Sequence, residues 1–165
     1  MMVVVDACVL RSASESDVPL PKQCREALDA VRKGGRTVVA CKTLQAEWRN
    51  HRSLYSQCWL TSMYAKRRVK VVDAYLPRSQ SAEHAISRLA EPLKSHGLKD
   101  VHLLRLAIDN DGMIVSSERR CRESFSAAKS SFAPIGNVAF VDPAAGEPLH
   151  RFLCGTDPID PTWKL

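Results

Sequence analysis

The feature that most constrains this chain is a set of short apolar runs: Val3-Val4-Val5, Thr37 to Cys41, Met113-Ile114-Val115 and Val138 to Val141. Each is separated from the next by longer stretches with helical spacing. Short runs rich in valine and isoleucine, with no polar alternation, are the pattern of strands buried on both faces. Strands of that kind alternating with helices make a parallel sheet covered on each side. The expected fold is therefore α/β, a three-layer α/β/α sandwich with a mostly parallel central sheet.

Between the strands, Pro19 and Pro21 precede a helical stretch with Cys24, Leu28 and Val31 on one face, ended by Gly34-Gly35. Residues 11–18 are small and polar and read as a loop. From Thr43 to about Lys66 no Gly or Pro interrupts the chain, and Leu44, Trp48, Tyr55, Trp59 and Met63 line one helical stripe. Val69, Val71 and Val72 form a short extended piece. Ser81 opens another helix, with Ile86, Leu89 and Leu93 inward. Gly97 then breaks the chain, which places Asp100 at the start of a helix carrying Val101, Leu104 and Ile108. Residues 119–129 are helical again. Residues 1–142 read as one domain. Residues 143–165 hold four prolines and no clear period, the pattern of an irregular C-terminal tail. Leu149, Phe152 and Leu153 within it could dock on the domain itself or on a second subunit, which keeps a homodimer open.

Several classes are excluded at once. No apolar run approaches the ~20 residues that span a bilayer. The opening Met1-Met2 lacks a basic flank and Asp6 interrupts the run, so it is not read as a secretory signal. Cys8, Cys24, Cys41, Cys58, Cys121 and Cys154 are widely spaced with no CxxC, which reads as free thiols in a cytoplasmic protein. The histidines form no ligand-spaced pair with them, against a zinc site. No glycine-rich phosphate cradle follows a strand, against dinucleotide or nucleoside triphosphate binding. Cys8 has no paired base in sequence that would make it a nucleophile.

In an open parallel sheet, function collects outside the carboxyl ends of the strands. Asp6 ends the first strand, Glu47 lies on the helix after the second, and Glu118 follows the third through Ser116-Ser117. Asp100 stands on the helix that feeds the third strand. Taken singly, such acids are commonly caps or solvated side chains. Four of them converging on one sheet edge repel one another unless cations neutralise them, and an all-oxygen cluster suits Mg²⁺ or Mn²⁺.

These segments resemble a known family. Val5-Asp6-Ala7-Cys8-Val9-Leu10 looks like the opening strand of PIN-domain ribonucleases, and Leu44-Gln45-Ala46-Glu47 is similar to the segment bearing their second acid. Asp100-Val101-His102-Leu103-Leu104-Arg105-Leu106-Ala107 resembles their Asp-led helix motif. Met113 to Glu118 is similar to the strand ending in Val-Thr-x-Asp, and Val138 to Asp142 to the closing strand, so the likeness runs in order over about residues 2–142. The resemblance implies a metal-dependent endoribonuclease acting on single-stranded RNA. Asp6, Asp100 and Glu118 would hold one or two Mg²⁺ or Mn²⁺ ions, Glu47 would complete the cluster or orient the attacking water, and Ser116 would support them. It also implies a possible role as the toxin of a toxin–antitoxin pair, with an antitoxin protein as partner. Cys8 and Glu118 stand where the family usually has Asn or Ser and Asp. The alternative is a PIN-like RNA-binding module with weak catalysis.

Charge supplies an independent line. Residues 42–70 contain Lys42, Arg49, Arg52, Lys66, Arg67, Arg68 and Lys70 against the single acid Glu47, an excess equal to the net +6 of the whole chain. A basic segment beside an acidic site suits a phosphodiester substrate. Arg49 and Arg52 project off the apolar stripe as candidate phosphate contacts, and Arg119, directly after Glu118, is a third. Trp48, Tyr55, Trp59 and Tyr64 could stack bases. Trp48, Tyr55 and Trp59 share their stripe with Leu44 and Met63, which favours a place in the core.

Overall fold

Strand β1 (Val3–Val5) runs between β2 (Val38–Cys41) and β4 (Met113–Val115) in the computed structural model of the chain, which describes residues 1–165. β3 (Val69–Val72) and β5 (Ala139–Val141) complete a five-stranded sheet in the order β3-β2-β1-β4-β5, with every strand pairing parallel. Val3 is in register with Val38 on one side and with Met113 on the other. All residues of β1, β2, β4 and β5 are buried, which is why these strands lack alternation. The edge strand β3 is half-exposed.

Eight helices cover the sheet: α1 (Ala7–Ser12), α2 (Pro19–Lys33), α3 (Lys42–His51), α4 (Leu54–Ala65), α5 (Pro77–Ser87), α6 (Leu93–Asp109), α7 (Arg119–Ala128) and α8 (Glu147–Cys154). α2, α4 and α8 pack as one group and α5, α6 and α7 as another, while α3 touches both α1 and α6. The result is the expected three-layer α/β/α sandwich. No helix is long and apolar enough to cross a membrane.

Four local expectations change. Residues 11–18 are not wholly loop, because α1 follows β1 directly, capped by Asp6. The long stretch from Thr43 divides at Arg52-Ser53. There the Ser53 hydroxyl accepts from Ser56 N at 3.1 Å, and Ser53 N donates to Leu10 O at 3.1 Å. The break is held by the end of α1, a distant partner. Gly97 does not break the chain either. It lies inside α6, where an added Cβ would collide with Ser124 Oγ and Ile86 Cγ2, so its role is close approach of α6 to α5 and α7. Asp100 is therefore mid-helix, and the helix expected from Ser81 begins earlier, at Pro77.

Residues 143–165, expected as an irregular tail, carry α8 and dock on the domain itself. Leu149, Phe152, Leu153, Trp163 and Leu165 are buried in the same core as the strands. Arg36 holds the end of α8, donating from Nε to Leu153 O at 2.8 Å and from Nη2 to Phe152 O at 2.7 Å. Its guanidinium also lies 5.3 Å from the Phe152 ring centroid. Phe152 O also accepts from Gly155 N at 3.0 Å, while Leu153 O is the kind of carbonyl that a helix C-terminus leaves without a helical donor.

Candidate active site

The sheet order reverses beside β1: the chain moves outward through β2 and β3, then returns to the other side with β4 and β5. A crevice at the carboxyl ends of β1 and β4 follows from that reversal. Asp6, Glu47, Asp100 and Glu118 line one cleft there, of about 140 Å³, together with Cys8, Arg11, His51 and Lys99. The four acids named from sequence thus come together from four different elements.

Asp6 is both a helix cap and a cleft residue. Its Oδ1 accepts from Cys8 N at 3.2 Å, and its Oδ2 accepts from Ser116 Oγ at 2.6 Å and from the Cys8 thiol at 3.1 Å. Ser116 Oγ in turn accepts from Glu118 N at 3.0 Å, so one hydroxyl ties the end of β1 to the start of α7. Glu118 occupies the N-cap position of α7 without bonding it through its side chain. That leaves its carboxylate to the cleft.

Glu47 is placed by its neighbour. Trp48 Nε1 donates to Val5 O at 2.9 Å and pins α3 against the end of β1, and Leu44, one turn earlier, is fully buried. Glu47 then faces His102 of α6, with Oε2 and Nε2 at 3.2 Å. His102, only 6% exposed, is a positioning contact that the sequence did not single out. Trp48 and Trp59 are both core residues, and the Trp59 indole donates to Leu28 O at 2.7 Å.

Asp100 is the most strained of the four electrostatically. It is 9% exposed and no side chain or backbone group of another residue hydrogen-bonds its carboxylate. Burial, followed by the charge of Asp6, raises its pKa to about 6. The Cys8 thiol is pushed up to about 11, first by burial and then by Asp6, so it stays protonated and donates to that carboxylate. A thiol nucleophile is not what this arrangement offers.

Four carboxylates on one cleft are the donor type that suits a hard divalent cation, although Cys8, Arg11, His51 and Lys99 share the lining. As placed, no three His, Cys, Asp or Glu side chains stand close enough together to hold a metal ion. The site is an acid-lined cleft rather than a closed cage.

The basic residues divide around it. Arg11, His51 and Lys99 stand in the cleft, and Lys99 with His96 and Arg120 borders a smaller recess that shares Asp100 and Glu118. His51 has a signal in the sequence, four residues after Glu47 on the same helix face. Arg11 has none, since the polar composition of residues 11–18 hides the short helix α1. Arg119 is exposed and lines neither recess, its neighbour Arg120 taking that place. Arg49 and Arg52 lie in a separate groove between α3 and α4.

No protein-family model matches the chain, and no curated protein is significantly similar to it in sequence. The class is therefore defined by fold and cleft alone: a parallel α/β protein with a carboxylate-lined crevice at its topological switch point.

Proposed function

We propose that the chain is a metal-dependent endoribonuclease that hydrolyses phosphodiester bonds of single-stranded RNA. The observation that carries the reading is the convergence of Asp6, Glu47, Asp100 and Glu118 on one cleft with cationic side chains at its border. The resemblance to PIN-domain ribonucleases and the basic stretch 42–70 support it.

In this reading Asp6, Asp100 and Glu118 hold Mg²⁺ or Mn²⁺, which when bound lowers the pKa of water and offsets charge on the phosphate. The chain's own residues do the rest. Glu47, held by His102 and by the Trp48 anchor, accepts a proton from the attacking water or orients it. Ser116 and the Cys8 thiol keep Asp6 aimed at the cleft. Arg11 and Lys99 attract the phosphate. Asp6→Asn and Asp100→Asn should each abolish Mn²⁺-dependent cleavage of a single-stranded RNA while circular dichroism stays that of the parent. Cleavage at the parent rate in both variants would refute the assignment.

One observation favours a second reading, an RNA-binding module with weak catalysis. Both Asp6 oxygens already accept hydrogen bonds, from Ser116 and Cys8, so the residue is satisfied as a cap without a cation. Thermal stabilisation by Mn²⁺ that Asp6→Asn removes would favour the enzyme. Salt-sensitive RNA binding with no such stabilisation would favour the module.

A further inference from the structure

Helix α3 separates two recesses of opposite character. Glu47 and His51, four residues apart, face the acidic cleft. Gln45, Arg49 and Arg52 share another face, at helical spacing, and line a groove of about 280 Å³ against α4. No acid lines that groove. Neither Arg49 nor Arg52 has a carboxylate partner in any ion pair of the molecule, and both are exposed.

The rest of the groove has a particular chemistry. Its apolar lining is the buried Trp48 and Leu60. At its border Tyr64 leaves 45% of its surface exposed, and its hydroxyl accepts from Gln45 Nε2 at 2.8 Å, which fixes the ring beside the groove. An exposed aromatic ring next to amide groups and two free guanidinia offers a stacking face, base-edge hydrogen bonds and phosphate contacts together. The volume lies near the lower bound of small-ligand clefts, about 300 Å³. That suits one nucleotide rather than a larger ligand.

We propose that the α3–α4 groove is a nucleotide subsite, seating one base of a single-stranded RNA beside Tyr64 while Arg49 and Arg52 hold its phosphate. The inference rests on the reading that the substrate of the neighbouring cleft is RNA. It adds where the strand goes. A helix body is about 10 Å across, so an RNA with its scissile phosphate in the cleft crosses α3 and enters the groove within a few nucleotides. An acidic protein segment is the competing occupant. It would use the arginines but has no need of an aromatic face beside amides.

The test is binding of a fluorescein-labelled single-stranded RNA in EDTA, where no metal-dependent cleavage occurs, followed by anisotropy. Tyr64→Ala should weaken binding at least about fivefold, the loss of one stacked base. Arg49→Ala with Arg52→Ala should weaken it further and lower the slope of log affinity against log salt by about 0.7 for each phosphate no longer neutralised. Arg88→Ala, an exposed residue outside both recesses, should bind like the parent. Parent-like binding by the Tyr64 variant and the double arginine variant would overturn the subsite, even if Mn²⁺-dependent cleavage is found. Loss of binding in those variants, in a protein with no Mn²⁺-dependent cleavage, would keep the subsite and sink the nuclease reading. Polyglutamate that competes as strongly as unlabelled RNA, and does so regardless of Tyr64, would overturn it in favour of an acidic protein partner.

Discussion

Asp100 and Asp109 lie on the same helix, both are acids with little exposure, and they are treated in opposite ways. Asp109, whose side chain is 6% exposed, accepts at Oδ2 from Leu76 N and from Ser79 Oγ, each at 2.8 Å, while its Oδ1 makes no hydrogen bond and has only the charge of Arg78, Nε at 3.7 Å. Asp100 has no comparable donors and looks across the cleft at Asp6. One end of α6 uses a buried carboxylate to fasten the start of α5. The middle of the helix keeps one poorly compensated. Burial of an acid is therefore not by itself a mark of a functional site. The informative property is whether the fold supplies the positive and hydrogen-bonding partners that burial demands.

The comparison can be broken most decisively through activity. On the proposed nuclease function, Asp100→Asn should lower the Mn²⁺-dependent cleavage rate on the order of a hundredfold or more, the size of effect expected when a metal ligand is lost. Asp109→Asn should leave the rate of the folded protein within about twofold. Equal losses in the two variants, measured by initial rates, would show that the two carboxylates of α6 do not differ in kind.

Stability separates them next. The folded pKa of Asp100, about 6, lies above its ordinary value of 3.8, so the folded chain binds more protons than the unfolded chain between those limits. Stability from this group is fully present below about pH 4 and is lost as pH rises through about 6. Metal-free protein should therefore gain thermal stability as the pH falls from 7 to 5. Asp100→Asn should remove that part of the profile and raise stability at pH 7 by on the order of 2 kcal/mol, about 5 °C in Tm. A variant less stable than the parent at pH 7 would contradict the account of Asp100.

The smallest effect belongs to Asp109. Its replacement by Ala leaves Leu76 N and the Ser79 hydroxyl without their acceptor, at a cost of about 1–2 kcal/mol. Thermal melts at pH 7.5 should show this loss, in contrast to the gain in the Asp100→Asn variant.

Much of this arrangement is legible in the residues. Three valines closed by Asp6 announce a buried strand with an acid at its end, and the alternation of such strands with helices fixes the sandwich. The four acids can be named because each sits at a fixed distance after a strand or on the helix that feeds one. What is not legible depends on partners far away in sequence. Ser53 divides α3 from α4 only because Leu10 and Ala13 offer carbonyls to its amide and hydroxyl. Gly97 carries the same local signal whether it ends a helix or lets two helices touch, and Ser124 and Ile86 decide which. His102 faces Glu47 across two helices, a relation that no local spacing encodes. The tail looks irregular because its prolines outweigh a short amphipathic stretch, and its anchor is Arg36, far away in the first quarter of the chain.

The strand order also has a consequence in time. Val3 to Val5 find one neighbour in β2, early in the chain, but their other neighbour is Met113 to Val115. While the chain is being made from its N-terminus, the stretch carrying Arg49, Arg52 and Tyr64 is complete long before Asp100 and Glu118 exist. The basic segment is thus made first, and the acid cleft is complete only when β4 pairs with β1. Long-range parallel pairing of this kind is slow to form. Any activity that needs all four carboxylates is withheld until the seam between the first strand and the fourth has been sealed.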